Sequence, residues 1–133
     1  MTTNASLLLN RLLGRARLKH LQVLVKVAEL GSMKKAGEVV GMTQPAVTHV
    51  VADLETLLGV ELFHRHARGV TPTPFCEELL PMARQVIQSV GLGMEAIVAR
   101  IERVGANLRV GATTAALSAL LAKALPVFMK HHP

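Results

Sequence analysis

The 133-residue chain lacks tryptophan and tyrosine and holds only three phenylalanines, so aromatic residues make up 2% of it. A hydrophobic core must therefore be built from aliphatic residues and methionine, and half of the residues are hydrophobic. Leucine, alanine and methionine favour helices, so the composition predicts a mainly α-helical chain. The length suits one domain with an appendage, or two very small domains.

The chain holds one cysteine, Cys76, so an internal disulfide is excluded. No segment resembles a secretion signal, because the apolar stretch over residues 6–13 is short and contains Asn10 and Arg11. No apolar run approaches the roughly 20 residues that a membrane-spanning helix needs. These absences predict a cytoplasmic protein without a membrane partner.

Acidic residues are scarce relative to basic ones: nine Asp and Glu stand against 15 Lys and Arg, a formal net charge of +6. The surplus is larger in residues 1–70, with nine basic and five acidic residues, than in residues 71–133, with six and four. A positive surplus favours polyanionic partners such as nucleic acid. Contacts to phosphate are therefore expected mainly in the first half of the chain.

Residues 18–73 show three helical segments, each closed by a glycine, and then a short hairpin. Gly37 stands where the two helices of a helix-turn-helix cross most closely, and only a small side chain fits there. The layout predicts a winged helix-turn-helix domain over 18–73. Its predicted elements are helices over 18–30, 33–40 and 44–58 with caps at Ser32 and Thr43, strands over 60–65 and 70–73, and a turn over 66–69.

The third predicted helix has an aliphatic face and, at its N-terminal end, a face of short polar residues. In a helix-turn-helix this end enters the major groove, where Gln44 pairs with adenine, Thr48 reaches several bases and Pro45 packs against a thymine methyl group. Basic residues on the preceding helix and on the wing supply phosphate contacts. The alternative interpretation is a core helix with a solvated outer face. The predicted DNA-binding residues are Ser32, Lys34, Lys35, Thr43, Gln44, Pro45, Thr48, His49, Arg65 and Arg68.

A long linker helix is predicted over 74–105, opened by Thr73 and Pro74. Its apolar residues recur every three or four positions, and such a stripe needs a partner helix. A kink is expected at Pro81 and a break at residues 105–107. The predicted dimerisation residues are Leu79, Leu80, Ala83, Val86, Ile87, Val90, Met94, Ile97 and Ile101.

Residues 106–133 are expected to begin a second domain. The segment LRVGA (108–112) is predicted to form a strand, and a helix is predicted to run from Ala115 to Met129. A strand that leads into a helix normally feeds a parallel neighbour, and none follows, so the unit is interpreted as the truncated start of an α/β domain. Thr113 and Thr114 precede the predicted helix N-terminus, a place suited to an anionic ligand.

Several short motifs in the run from Leu18 to Arg84 resemble the DNA-binding domain of the LysR-type transcriptional regulators. They are a Gly-Ser pair (31–32) before the first helix of the turn, TQPA (43–46) at the recognition helix, LE (54–55) near its end, LGVELFHR (58–65) leading into the wing, and RGV (68–70) at the wing tip. The segments LRVGA and ALPVFMKHHP are similar to the first strand and helix of the family's effector-binding domain.

The resemblance implies a regulator that binds inverted-repeat promoter sites in double-stranded DNA as a homodimer or tetramer, pairing through the linker helix. It also implies that the complete protein senses a small-molecule inducer in a periplasmic-binding-protein-like domain, and it implies no cofactor. The residues that match the family's groove-facing and wing positions are Thr43, Gln44, Pro45, Thr48, His49, Arg65 and Arg68.

Four residues depart from the family pattern. Gly37 stands where alanine is usual, and Met33 replaces a common aromatic residue. His49 occupies a place often held by arginine, and Cys76 one often held by glycine. The substitution at position 49 is expected to weaken that contact and to make it sensitive to pH.

Three alternatives are open from the residues. One is a winged-helix repressor of another family without a sensor domain, and another is a dimerisation module that binds no DNA. An enzyme or metal protein would have to use His64, His66, Cys76 or the terminal histidines, but no third ligand stands at a suitable spacing, so neither catalysis nor a metal site is expected. Residues 1–17 are expected to form a mobile basic extension.

Overall fold

The computed structural model describes the backbone of residues 3–116 and the side chains of residues 3–106. This part of the chain is helical apart from one hairpin, which confirms the mainly α prediction. The elements are α1 (Ala5–Arg15), α2 (Leu18–Leu30), α3 (Met33–Val40), α4 (Gln44–Leu58), β1 (Phe63–His66), β2 (Gly69–Pro72) and α5 (Pro74–Ala116).

The predicted ends of α2, α3 and α4 are confirmed. The hydroxyl of Ser32 accepts a hydrogen bond from the backbone N–H of Lys35 at the start of α3 (3.1 Å). The hydroxyl of Thr43 does the same at the start of α4, where it accepts from the N–H of Ala46 (3.3 Å). Each of these side chains satisfies one of the four free N–H groups at its helix N-terminus. All three helices end at a glycine in the left-handed conformation.

The crossing of α3 and α4 explains the glycine at position 37. A Cβ atom there would lie 2.5 Å from the carbonyl oxygen of Met42 and 3.3 Å from Cγ2 of Val47. The first of these distances is shorter than real Cβ contacts. The close approach predicted for Gly37 is therefore confirmed.

The core is aliphatic and lies between α2, α3, α4 and the first turns of α5. Its central side chains have no exposed surface, and Leu62 and Cys76 close it from the side of the hairpin and α5. Close packing of this kind is what stabilises such a small domain. The fully buried hydrophobic residues are Val23, Leu24, Val27, Ala36, Val47, Val51, Leu54, Leu62, Cys76 and Ala83.

The hairpin is shorter than predicted. Its strands pair in antiparallel register from Phe63 with Pro72 to His66 with Gly69. Residues 60–62 lie outside the two strands, although one backbone hydrogen bond continues the pairing at Leu62 and Thr73. The carboxylate of Glu55 accepts from the N–H of Leu62 (2.9 Å), and the Leu62 carbonyl accepts from the N–H of Thr73 (2.9 Å). The chain is thereby tied to α4 before the strand begins.

Helix α5 is longer than predicted. The break expected at residues 105–107 and the strand expected over 108–112 are both wrong, because α5 continues as a helix to Ala116. Within residues 3–116 the sheet consists of β1 and β2, and no third strand pairs with either of them. A helix pairs its backbone groups internally and needs none. Most of the helix predicted from Ala115 to Met129 lies outside the described residues.

The N-terminal extension is not a mobile tail, and that expectation is wrong. Residues 5–15 form α1, which begins at Asn4, whose side-chain oxygen accepts from the N–H of Leu7 (2.8 Å). Leu12 and Ala16 are partly buried against the core, and α1 packs against α4. The apolar spacing of four residues and the cap together explain why this segment folds.

By its contacts, the chain divides into a compact unit over Met1–Val90 and another over Gly91–Pro133. The first unit holds the helix-turn-helix, the hairpin and the beginning of α5. In the part of the chain that the structure describes, no helix is both long and apolar enough to cross a membrane.

Candidate nucleic-acid interface

The N-terminal half of α4 presents a polar, exposed surface. Val47, Val50 and Val51 turn into the core, while Gln44 and Pro45 on the first turn are exposed. Side chains on this outer surface are short, so the helix backbone is able to approach another molecule closely. The residues on this surface, which we call the α4 reading face, are Thr43, Gln44, Pro45, Thr48 and His49.

Two exposed lysines, Lys34 and Lys35, lie on the first turn of α3, directly after the buried Met33. The position of α3 is fixed from α2, since Nζ of Lys19 donates to the carbonyl oxygen of Val40 at the helix C-terminus (2.8 Å). Cations at a helix C-terminus interact favourably with the helix dipole. Lys19 therefore has a structural partner, whereas the two α3 lysines are exposed.

The hairpin carries the two predicted wing arginines. Arg65 on β1 and Arg68 in the turn are both exposed. Nδ1 of His66 accepts from the backbone N–H of Arg68 (3.3 Å), which holds the two-residue turn at the tip. The predicted turn over 66–69 thus closes as residues 67 and 68 between the paired ends of the strands. Neither wing arginine forms a salt bridge with an acidic side chain among residues 3–106.

A hollow between the C-terminal half of α4 and the wing contains acidic side chains. It is lined by Glu55, Glu61, Phe63, His64 and Arg65, among others. Two carboxylates in one hollow disfavour a phosphate there, since like charges repel. The hollow between the two carboxylates is therefore an unfavourable place for a phosphate.

The apolar stripe of α5 is not uniform. Leu80 is 6% and Ala83 0% exposed, so both belong to the core of the first unit and are not free to contact a partner. Leu79, Val86 and Ile87 are partly buried against the same core. The remaining predicted dimerisation residues are exposed by 38–63%: Val90, Met94, Ile97 and Ile101.

Further apolar residues that are not among the predicted dimerisation residues are also exposed on α5. They are Leu92, Val98 and Val104, each more than half exposed. Large aliphatic side chains at this exposure are unusual when they are contiguous, and they mark interaction surfaces. The sequence signal for Val98 and Val104 was present, since they stand four residues after Met94 and three after Ile101, whereas Leu92 lies outside this spacing.

Cys76, one of the candidate catalytic groups, is buried. Burial raises the pKa of the Cys76 thiol to about 11, and the carboxylates of Glu77 and Glu55 add to this while Arg84 opposes it. The thiol is thus neutral and unreactive at pH 7. No group of three or more His, Cys, Asp and Glu side chains able to hold a metal is found in the described residues.

The predicted placement of Thr113 and Thr114 at a helix N-terminus is wrong. Both lie within α5, well past its first turn. Inside a helix the backbone N–H groups bond to carbonyls of the preceding turn, so no free donors are available for an anion. The reason for expecting a ligand at these residues is removed.

Comparison with known proteins identifies the family. The sequence model described as "Bacterial regulatory helix-turn-helix protein, lysR family" matches residues 18–77. The crystal structure of the CbnR_DBD–DNA complex aligns with 30% identity and a TM-score of 0.58, covering 63% of this chain and 97% of that one. This chain belongs to the LysR family. The resemblance inferred from the motifs is thereby confirmed, and a winged-helix repressor of another family is excluded.

Further matches cover different shares of this chain. The BenM_DBD/benA site 1 DNA complex aligns with 30% identity and a TM-score of 0.57, covering 65% of this chain and 96% of that one. The Small neutral protease regulatory protein of Streptomyces coelicolor is 38% identical over 99 residues, which is 72% of this chain and 31% of that protein. The regulator PcaQ of Agrobacterium fabrum is 31% identical over 115 residues, 86% of this chain and 37% of that protein.

The chain spans about a third of the length of these two curated relatives. Their names describe a protease regulatory protein and a transcriptional regulator. The family match begins at Leu18, so α1 precedes the LysR domain proper.

One feature of this LysR-family surface was missed by sequence reasoning. Oδ2 of Asp53, one turn after His49 on α4, lies 3.5 Å from Nε2 of His49 and 3.7 Å from Nε2 of His20 on α2. The spacing of four residues between His49 and Asp53 was a visible signal for the first contact. The second joins residues 33 positions apart and is created only by the packing of α2 on α4.

Proposed function

We propose that this chain is the DNA-binding part of a LysR-type transcriptional regulator that binds duplex DNA with sequence preference. The observation that carries the proposal is the α4 reading face. It is capped at Thr43, exposed, and free of the long charged side chains that normally cover a solvated helix. A helix with this surface fits the major groove, where short donors and acceptors reach base edges.

The roles of the residues divide by chemistry. Gln44 carries an amide that donates and accepts at once, which suits adenine, and Thr48 and Pro45 add a hydroxyl and an apolar contact. Lys34, Lys35 and the wing arginines meet phosphates, where a positive charge is effective regardless of sequence. Ser32 and Thr43 contribute through the helix starts that they cap, since free N–H groups there also suit phosphate.

We propose that binding requires a homodimer. The aliphatic side chains of α5 from Val90 to Val104 are exposed in the single chain. Packing against the same helix of a second copy buries them. A two-fold dimer places two recognition helices in successive major grooves and so selects an inverted repeat. A tetramer belongs to the full-length protein.

The domain division that accompanies this proposal places an extension at 1–17, the winged helix-turn-helix at 18–73 and the linker helix from residue 74 through the end of α5 at Ala116, with the start of an effector-binding domain after it. The complete protein then binds a small-molecule inducer and acts in the cytoplasm, where chromosomal DNA lies. The chain itself is proposed to have no catalytic activity and no cofactor.

Selection of bound duplexes from a random pool tests the proposal. We expect the selected sequences to share an inverted repeat whose half-sites are separated by about one helical turn, roughly 10 base pairs. The Gln44→Ala protein, selected in parallel, serves as the matched control and is expected to lose preference at one position of each half-site. Recovery of sequences with no common pattern by the unchanged protein would overturn the proposal.

A further inference from the structure

We propose that Asp53 is a positioning residue for DNA recognition, holding the imidazole of His49 so that its Nδ1 is presented to a base. The inference rests on the proposed function, because it concerns how one residue of the reading face is oriented. Asp53 itself is set back from the groove by one turn of α4. It acts through His49 and not by direct contact with DNA.

The first step is the geometry at His49. Its side chain is 76% exposed, and Nε2 lies 3.5 Å from Oδ2 of Asp53. Nδ1, on the other side of the ring, has no protein partner among the side chains of residues 3–106. With Nε2 directed at the carboxylate, Nδ1 is the ring nitrogen left to interact with DNA. An imidazole without such an anchor would sample several rotamers on an exposed helix surface.

The second step is what holds Asp53. Oδ2 also lies 3.7 Å from Nε2 of His20, whose side chain is only 12% exposed. Nδ1 of His20 accepts from the backbone N–H of Arg17 (3.1 Å) at the start of α2. A neutral His20 therefore carries its hydrogen on Nε2, toward the carboxylate. His20 thus brings a second imidazole, from α2, to 3.7 Å from the Asp53 carboxylate.

The third step concerns the charge repulsion between the Asp53 carboxylate and DNA phosphates. Asp53 has 46% of its side chain exposed on the helix that would face phosphates. An acidic group near DNA opposes binding through charge repulsion. A purely electrostatic role and a positioning role therefore predict opposite effects on specific recognition when the carboxylate is removed.

The test compares base preferences, measured by selection from a random pool, for the unchanged chain and for His49→Ala, Asp53→Ala, Asp53→Asn and Gln44→Ala. We expect His49→Ala to reduce discrimination at one half-site position by about fivefold, the worth of one hydrogen bond. Asp53→Ala should reduce it at that same position while leaving the position read by Gln44 unchanged. Asp53→Asn keeps an acceptor oxygen and should restore the preference at least in part.

Three results would overturn the inference. They are full preference at the His49 position in Asp53→Ala, loss of preference at every position in that variant, and no recovery in Asp53→Asn. The midpoint of urea unfolding for each variant shows whether the fold is intact. An Asp53→Ala protein that unfolds earlier and loses all preferences would mean a structural role.

A second measurement does not depend on DNA. Three-bond NMR couplings of the His49 side chain should report one dominant χ1 rotamer in the unchanged chain and averaging in Asp53→Ala. A ring that averages equally in both proteins would overturn the positioning role. A selection that enriches no sequence would overturn the proposed function, and the couplings would still report on the positioning.

Discussion

The backbone N–H of Val70 on β2 donates a hydrogen bond to the carbonyl oxygen of Gly31 (3.0 Å), which ties the wing to the turn between α2 and α3. The wing and the start of α3 are thereby held as one surface, although they are almost 40 positions apart in sequence. Lys34 and Lys35 follow this turn directly, and Arg68 lies at the wing tip. Their placement with respect to each other depends on this contact.

Gly69→Ala should disturb this contact. The backbone angle φ of Gly69 is 132°, a conformation that favours glycine. A Cβ atom added there would also collide with the carbonyl oxygen of Gly31. We expect a loss of about 1–3 kcal/mol in the free energy of unfolding and weaker binding to all duplexes. Urea unfolding and a titration with random DNA measure the two effects. Gly93→Ala is the matched control, because nothing lies within 4 Å of its Cβ, and it should gain up to about 1 kcal/mol. Equal behaviour of the two variants would contradict the argument.

Gly37→Val tests the crossing of α3 and α4. The added side chain meets the carbonyl oxygen of Met42 and Cγ2 of Val47, neither of which moves easily in a packed core. We expect a loss of about 2–4 kcal/mol in the free energy of unfolding, measured with urea. Gly91→Val, at a position with open space around the Cβ, should change it by less than about 1 kcal/mol. A small loss at position 37 would show that the helices separate at little cost.

Gln44→Ala and Arg68→Ala should separate base contacts from phosphate contacts. The first is expected to weaken specific binding by about 1–3 kcal/mol and to leave binding to random DNA unchanged. The second should weaken both alike and lower the salt dependence of binding by about one unit of slope. Competition titrations at several salt concentrations measure both quantities. Equal losses on specific and random DNA for Gln44→Ala would contradict the division of roles.

Ile97→Glu should disrupt pairing through α5. Ile97 is 52% exposed in the single chain, and a carboxylate there would be buried without a partner in a dimer. We expect sedimentation at micromolar concentration to show a dimer for the unchanged chain and a monomer for this variant. Ala99→Glu adds the same charge at another exposed position of α5, near Glu95 and Glu102, and should leave the dimer intact. Sedimentation of the unchanged chain as a monomer would contradict the proposed pairing through α5.

Much of the first unit was predictable from local signals. The caps at Ser32 and Thr43 and the closing glycines determine where helices begin and end, and each acts within four residues. The prediction of a strand over 108–112 was wrong because it depended on residues outside the segment. Its apolar, β-branched pattern needed a neighbouring strand, and pairing depends on residues far away in the chain.

In the candidate site, too, some features follow from local sequence and others depend on how the helices pack. Membership in the α4 reading face follows from helical periodicity and was predicted. The contact of His20 with Asp53 was not, because it depends on how α2 packs against α4. The burial of Leu80 and Ala83 was also missed, since a stripe at helical spacing does not reveal whether its partner is the chain's own core or another molecule.

The raised pKa of Cys76 predicts a pH dependence of stability. Burial raises the pKa of this thiol from 9.0 to about 11 in the folded chain, so between these values the unfolded chain loses a proton that the folded chain retains. The free energy of unfolding is then lowered as pH rises from about 9 to about 11, by up to about 3 kcal/mol, and the contribution is fully present below pH 9. Urea unfolding of the unchanged chain and of Cys76→Ala across this range measures it, since lysines titrate in both proteins and tyrosine is absent from the chain. A constant difference between the two proteins at every pH would show that the thiol ionises as easily folded as unfolded.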